Sequence, residues 1–94
     1  MARLRTHRGE VLREEYLIPL GLSARALAKE LGVPANRLTE IIRGTRDVTA
    51  DTAIRLERYF RTDPRFWLNL QAAYDLPNAE RTHSYKKIVP RSAA

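Results

Sequence analysis

The sequence has no cysteine, which excludes a disulfide framework, a thiolate zinc site and a cysteine nucleophile, and fits a reducing compartment. Its two histidines, His7 and His83, lie near opposite ends of the 94-residue chain, without the His-x-x-x-His or Glu-x-x-His spacing of a helical metal site. There is no glycine-rich phosphate loop, and Glu14 and Glu15 are adjacent rather than a turn apart, with no nucleophile and base beside them. No enzyme activity, metal or cofactor is therefore expected. The chain has no run of about 18 apolar residues and no apolar signal segment at its N-terminus, so the expectation is a cytoplasmic, non-membrane protein. Its length allows one domain. A chain this short buries only about 60 to 65% of its unfolded surface, so support from a second copy, a homodimer, is expected.

Acidic residues are missing from both ends. Residues 1–8 carry Arg3, Arg5 and Arg8, and residues 81–94 carry Arg81, Lys86, Lys87 and Arg91, with no acid in either stretch. The whole chain has 17 Lys and Arg against 11 Asp and Glu, a net charge of +6 at pH 7, yet residues 9–80 are close to neutral. Total charge is thus a poor guide to partners. Locally, however, Arg25, Lys29, Arg37, Arg43 and Arg46 outnumber Glu30 and Glu40, the excess expected of a face that meets phosphates.

What the chain does have is apolar spacing near 3.6 in five segments and no sustained alternation of period two, which predicts an all-α fold of five helices. The first runs from about Gly9 to Leu17, with Val11, Leu12 and Tyr16 inward, and stops near Pro19. The second, about Ser23 to Leu31, opens on a capping serine and closes at Gly32. The third opens at Pro34 and runs to Arg43 before Gly44. The fourth follows a polar loop from Thr45 to Val48. Thr49 caps it, and Ala53, Ile54, Leu56 and Phe60 form its buried stripe. The fifth is announced by Asp63 and Pro64, continues to about Leu76, and is ended or kinked by Pro77. The organisation expected is a basic arm over residues 1–8, a helical domain over 9–77 and a basic tail over 78–94.

The informative stretch is Ala24 to Arg43, ARALAKELGVPANRLTEIIR. Two short helices meeting at a steep angle need apolar residues at fixed places, a small residue at the crossing and a glycine where the backbone reverses. Leu27, Leu31, Val33, Leu38 and Ile41 are the apolar set, Ala28 is the small residue and Gly32 the turn. This stretch resembles the helix-turn-helix of the lambda-repressor-like, or XRE, family. On a helix with Leu38, Ile41 and Ile42 inward, the outward group is Asn36, Arg37, Thr39, Glu40 and Arg43. Arg37 can clasp guanine O6 and N7, and Asn36 can pair adenine N6 and N7. Glu40 can accept from cytosine N4, or pair with Arg37 or Arg43 one turn away. Ser23, Ala24 and Arg25 begin the preceding helix, whose free N–H groups can face a phosphate, and Thr45 and Arg46 can grip the adjoining backbone.

The likeness extends from His7 to Leu76. GEVLREEYLIPLGLS before the hairpin, GTRDVTADTAIRL after it and FWLNLQAAYDL in the last helix make the chain similar to the HigA family of antitoxins from bacterial toxin–antitoxin operons. The resemblance implies a homodimer that binds palindromic double-stranded operator DNA, represses its own operon and neutralises a HigB-type toxin, a small RelE-like ribonuclease. A stand-alone phage-type repressor with the same DNA face is the alternative, and an interaction module that no longer binds DNA is a third. One departure is visible: the position after His7, commonly proline in the family, is Arg8. The expected consequence is confined to how the first helix starts.

The fifth helix carries more apolar surface than one core contact needs. Phe66, Leu70 and Ala73 share one stripe, and Trp67, Tyr74 and Leu68 lie on a neighbouring one. Phe66, Trp67, Leu70 and Tyr74 are accordingly the candidates for a dimer interface.

Overall fold

The computed structural model describes residues 7–92. Arg3 and Arg5 of the expected arm, and the last two residues of the expected tail, lie outside them. Five helices and no strand make up the described residues: α1 (residues 8–20), α2 (Ala24–Leu31), α3 (Ala35–Arg43), α4 (Ala50–Phe60) and α5 (Pro64–Thr82).

Local chemistry accounts for most of the boundaries. The Ser23 hydroxyl accepts from the Ala26 N–H at 3.0 Å, that of Thr49 from the Thr52 N–H, and the Asp63 carboxylate from the Arg65 N–H at 2.8 Å. Each satisfies a donor that the first helical turn leaves unpaired. Gly32 ends α2 with φ of 73°, and the Val33 and Gly32 N–H groups return to the Ala28 and Lys29 carbonyls. That reversal requires the left-handed conformation that only glycine adopts without steric cost. α3 ends in the same way at Gly44. Pro34 is the extended N-cap of α3 rather than its first helical residue, a one-residue correction.

Two prolines behave differently from expectation. α1 does not stop before Pro19; it continues to Leu20, and residues Leu12–Leu17 form a π-helical stretch in which the Ile18 N–H reaches the Arg13 carbonyl. A proline has no N–H and crowds the carbonyl four residues back. The wider π turn directly before Pro19 gives the chain room to absorb that crowding. α5 likewise runs through Pro77 to Thr82, so the expected boundary between residues 77 and 78 falls inside a helix, and the non-helical tail begins at His83.

The core lies where the helices meet. Leu12 and Leu17 from α1, Leu27, Ala28 and Leu31 from α2, Leu38 and Ile41 from α3, Val48 from the following loop, Ala53 and Leu56 from α4, and Trp67 from α5 are buried together. Ile54, expected in the α4 stripe, is instead 50% exposed, one position round the helix from Ala53. α1 crosses α3 at Gly9. A Cβ there would fall 2.2 Å from the Ile41 carbonyl oxygen, so the absence of a side chain sets the separation of the two helices.

Arg8 does far more than start a helix. It is only 4% exposed; its Nη2 donates to Asp47 Oδ1 at 2.9 Å and its Nη1 to Asp75 Oδ1 at 3.1 Å. It is thus not part of a free arm but a bolt joining α1, the loop after α3 and α5. Asp47 and Asp75 keep much of their surface in water, which screens the attraction, so the pairs fix geometry more than they add stability. Gln71 makes a second bolt: its Oε1 accepts from the Val48 N–H at 2.7 Å and its Nε2 donates to the Val48 carbonyl at 3.1 Å. The loop that leaves α3 is thereby held from α5.

His7 caps α1 by accepting the Gly9 N–H on Nδ1 at 2.9 Å and meets the Tyr74 ring edge-on at 4.9 Å. Burial, and then the Arg8 guanidinium, lower its pKa against the raising influence of Asp75, Glu10 and Asp47. The unfolded chain then binds a proton more readily than the folded one below the ordinary imidazole value of about 6.5. The stabilisation from His7 is therefore complete above that pH and is lost as the pH falls through the lowered folded value. Melting temperatures measured from pH 7.5 down to 5 should fall more for the parent than for His7→Ser, which keeps a capping oxygen and does not titrate. Parallel curves would rule His7 out as the source.

Candidate nucleic-acid interface

α2 and α3 form a helix-turn-helix whose polar side is open. Arg25, Asn36 and Arg43 are exposed, while Ala24, Arg37, Thr39 and Glu40 are half-buried at its margins. At the entrance to α2, Leu27 is the first residue whose N–H reaches a backbone carbonyl, that of Ser23. With the Ala26 N–H taken by the Ser23 hydroxyl, the Ala24 and Arg25 N–H groups point outward from the positive end of the helix dipole. Ser23 and Ala24 line one shallow hollow with Thr39 of α3 and Arg13 of α1. Residues from three helices are therefore brought together on one side of the molecule. Arg13 also borders a second groove, shared with Arg43, Gly44 and Asn78. Nothing in the sequence marks Arg13 for this place, because the spacing of α1 shows only which residues face the core.

Charged pairs organise this face. Arg37 Nη1 donates to Asp51 Oδ2 at 2.8 Å. The same oxygen accepts from Arg55 Nε at 2.9 Å, and Arg55 Nη1 donates to the Leu31 carbonyl at 2.7 Å. A chain of contacts thus runs from the end of α2 through the first turn of α4 to α3. Hydrogen bonds from Arg55, and next from Arg37, hold the Asp51 carboxyl below the usual carboxylate range. Glu40 pairs with neither Arg37 nor Arg43. Its Oε1 accepts from Arg46 Nε and Nη2, both at 2.8 Å, because Gly44 folds the chain back and sets Arg46 beside α3. The Thr45 hydroxyl donates to the Glu40 carbonyl at 3.3 Å, so both loop residues lean on α3. The Thr39 hydroxyl donates to the Asn36 carbonyl at 3.4 Å.

The candidates on α5 separate. Trp67 is fully buried, with its ring 5.3 Å from Tyr16 and its Nε1 donating to Thr62 Oγ1 at 3.1 Å. It belongs to the core and is withdrawn as an interface residue. Tyr74 is half-buried against His7. Phe66 is 38% exposed, Leu70 is half-buried, and Ala73 and Leu76 are exposed, so the stripe one position round from Trp67 is the uncovered one. Among the described residues, no helix is long and apolar enough to cross a membrane.

Against known proteins, the helix-turn-helix family matches residues 12–67. Virulence-associated protein I of Dichelobacter nodosus is 58% identical over 87 residues, which cover 92% of this chain and 81% of that protein. Two solved structures have the same fold along almost their whole length. An addiction module antidote protein of the HigA family from Coxiella burnetii is 45% identical, with 94% of this chain and 99% of that one covered and a TM-score of 0.82. Pseudomonas aeruginosa antitoxin HigA, solved with the higBA promoter, is 41% identical, with 96% and 100% covered and a TM-score of 0.83.

Proposed function

The chain belongs to the helix-turn-helix family, as a DNA-binding regulator of the HigA antitoxin type, and we propose that it is a cytoplasmic antitoxin that represses its own operon and neutralises a HigB-type ribonuclease toxin by direct binding. The observation that carries this reading is the open polar side of α3 beside the free N–H groups of α2, on a chain 41% identical over nearly its whole length to an antitoxin solved with its promoter. Asn36, Arg37, Thr39, Glu40 and Arg43 then face base edges, and Ser23, Ala24, Arg25, Thr45 and Arg46 face phosphates. The uncovered stripe of Phe66, Leu70 and Ala73 supports dimerisation through α5. A two-fold dimer presents two recognition helices about 34 Å apart, which suits a palindromic operator.

The test is a titration with the duplex upstream of its own reading frame, together with co-expression beside the adjacent gene. Binding should weaken with salt, with a log–log slope of about −0.9 per phosphate neutralised, and should favour that duplex over random sequence. Arg37→Ala should relax preference at one base pair by about 1–3 kcal/mol, whereas Arg25→Ala should weaken every sequence alike. Equal affinity for promoter and random DNA rejects specific repression. Promoter binding without capture or growth rescue of a neighbouring toxin identifies a stand-alone repressor instead.

A further inference from the structure

Asp51 lies outside the helix-turn-helix, on the first turn of α4, yet it touches the recognition helix. From this we infer that Asp51 is a positioning residue for sequence selectivity, one that holds the Arg37 guanidinium in a reading pose and withholds it from indiscriminate phosphate contact; the inference rests on the DNA reading above.

The geometry supports both halves. Asp51 takes Arg37 Nη1 at 2.8 Å, which leaves the Nε–Nη2 edge of the guanidinium as the fork for a bidentate contact with guanine O6 and N7. A free arginine on a helix surface samples many rotamers and loses that freedom on reading a base, so a side chain already held pays less on binding. Asp51 is itself held: Arg55 grips the same Oδ2 at 2.9 Å while anchoring its own Nη1 on the Leu31 carbonyl at 2.7 Å. Arg37 is therefore referenced to the end of α2 and the start of α4 together. A carboxylate at this place also repels phosphate, so an Arg37 seated on it is a poor general anchor for DNA backbone. Only a partner that fills the free fork while leaving the Asp51 contact intact gains fully, and a guanine edge does so.

The experiment compares the parent, Asp51→Asn, Asp51→Glu, Arg37→Ala and the Asp51→Asn/Arg37→Ala double variant on the upstream duplex, on the same duplex with each base pair exchanged, and on random duplex. Asp51→Asn should lose about tenfold preference at the base pair where Arg37→Ala loses its own, while its affinity for random duplex rises. Asp51→Glu should recover part of the preference. In the Arg37→Ala background, Asp51→Asn should make no further change at that pair. The inference is overturned if Asp51→Asn keeps the parent's profile, or loses preference evenly at all positions, or acts at that pair without Arg37. If Arg37→Ala itself keeps every preference, the base-reading role of Arg37 falls and the positioning role with it. If Arg37→Ala loses one and Asp51→Asn does not, only the positioning role falls. Melting temperatures of each variant separate a general loss of fold from a change at one base pair.

Discussion

Gly9→Ala should lower the melting temperature by about 4–24 °C, on the basis of about 1–3 kcal/mol for overpacking a tight site and 4–8 °C per kcal/mol in a domain of this size. At an exposed helical position the same change would stabilise by about 1 kcal/mol through helix propensity, so the sign is decided by what the new methyl group meets. At Gly9 it meets backbone: the Ile41 carbonyl oxygen at 2.2 Å, the Ile42 carbonyl oxygen at 2.8 Å and the Ile42 Cα at 2.9 Å. None of these can turn aside as a side chain would, so α1 and α3 must separate. α1 is not free to comply, because Arg8 bolts its start to Asp47 and Asp75 and His7 caps it. The strain passes to α3, and operator affinity should fall even at temperatures where the variant is folded. A melting temperature at or above the parent's would show that the crossing is looser than its contacts imply.

The features legible in the sequence are those made by neighbours along the chain. Ser23, Thr49 and Asp63 cap donors two or three residues ahead, and Gly32 and Gly44 turn the backbone where apolar periodicity ends, so these positions followed from residue type alone. The helix-turn-helix was legible for the same reason. Its crossing residue, Ala28, and its turn lie within one short window. Contacts between distant positions left no such trace. Arg8 reaches Asp47 across 39 positions and Asp75 across 67, and a lone arginine in a basic arm looks the same whether it is solvated or buried.

Asp51 was half legible. Its i, i+4 relation to Arg55 can be read from spacing, but its reach to Arg37 depends on the angle between α3 and α4. Pro77 misled for a local reason. It removes one intrahelical bond, the one that would end on the Ala73 carbonyl, but α5 already has three turns before it and continues to Thr82 after it, so the loss of a single bond does not end the helix.

The two stripes of α5 are where periodicity had the least power to choose, and they yield the other large effect. Phe66 and Trp67 are adjacent and both aromatic, so spacing places them on neighbouring faces without saying which face meets the core. Trp67→Ala should cost about 3–5 kcal/mol, a large part of the 5–15 kcal/mol that holds a typical domain together. The ring is fully buried, packs on Tyr16 and Phe66 at 5.3 Å and 5.0 Å, and spends its only donor on Thr62. Its removal leaves a cavity that rigid helices cannot close and a hydroxyl without its partner. Trp67→Phe keeps most of the packing and should cost far less. Leu70→Asp, on the uncovered stripe, should act differently. It should abolish the concentration dependence of the melting temperature expected of a dimer, whereas Trp67→Ala should lower the melting temperature and leave that dependence in place. A Trp67→Ala protein that melted like the parent but sedimented as a monomer would return Trp67 to the interface and turn the packing of α5 around.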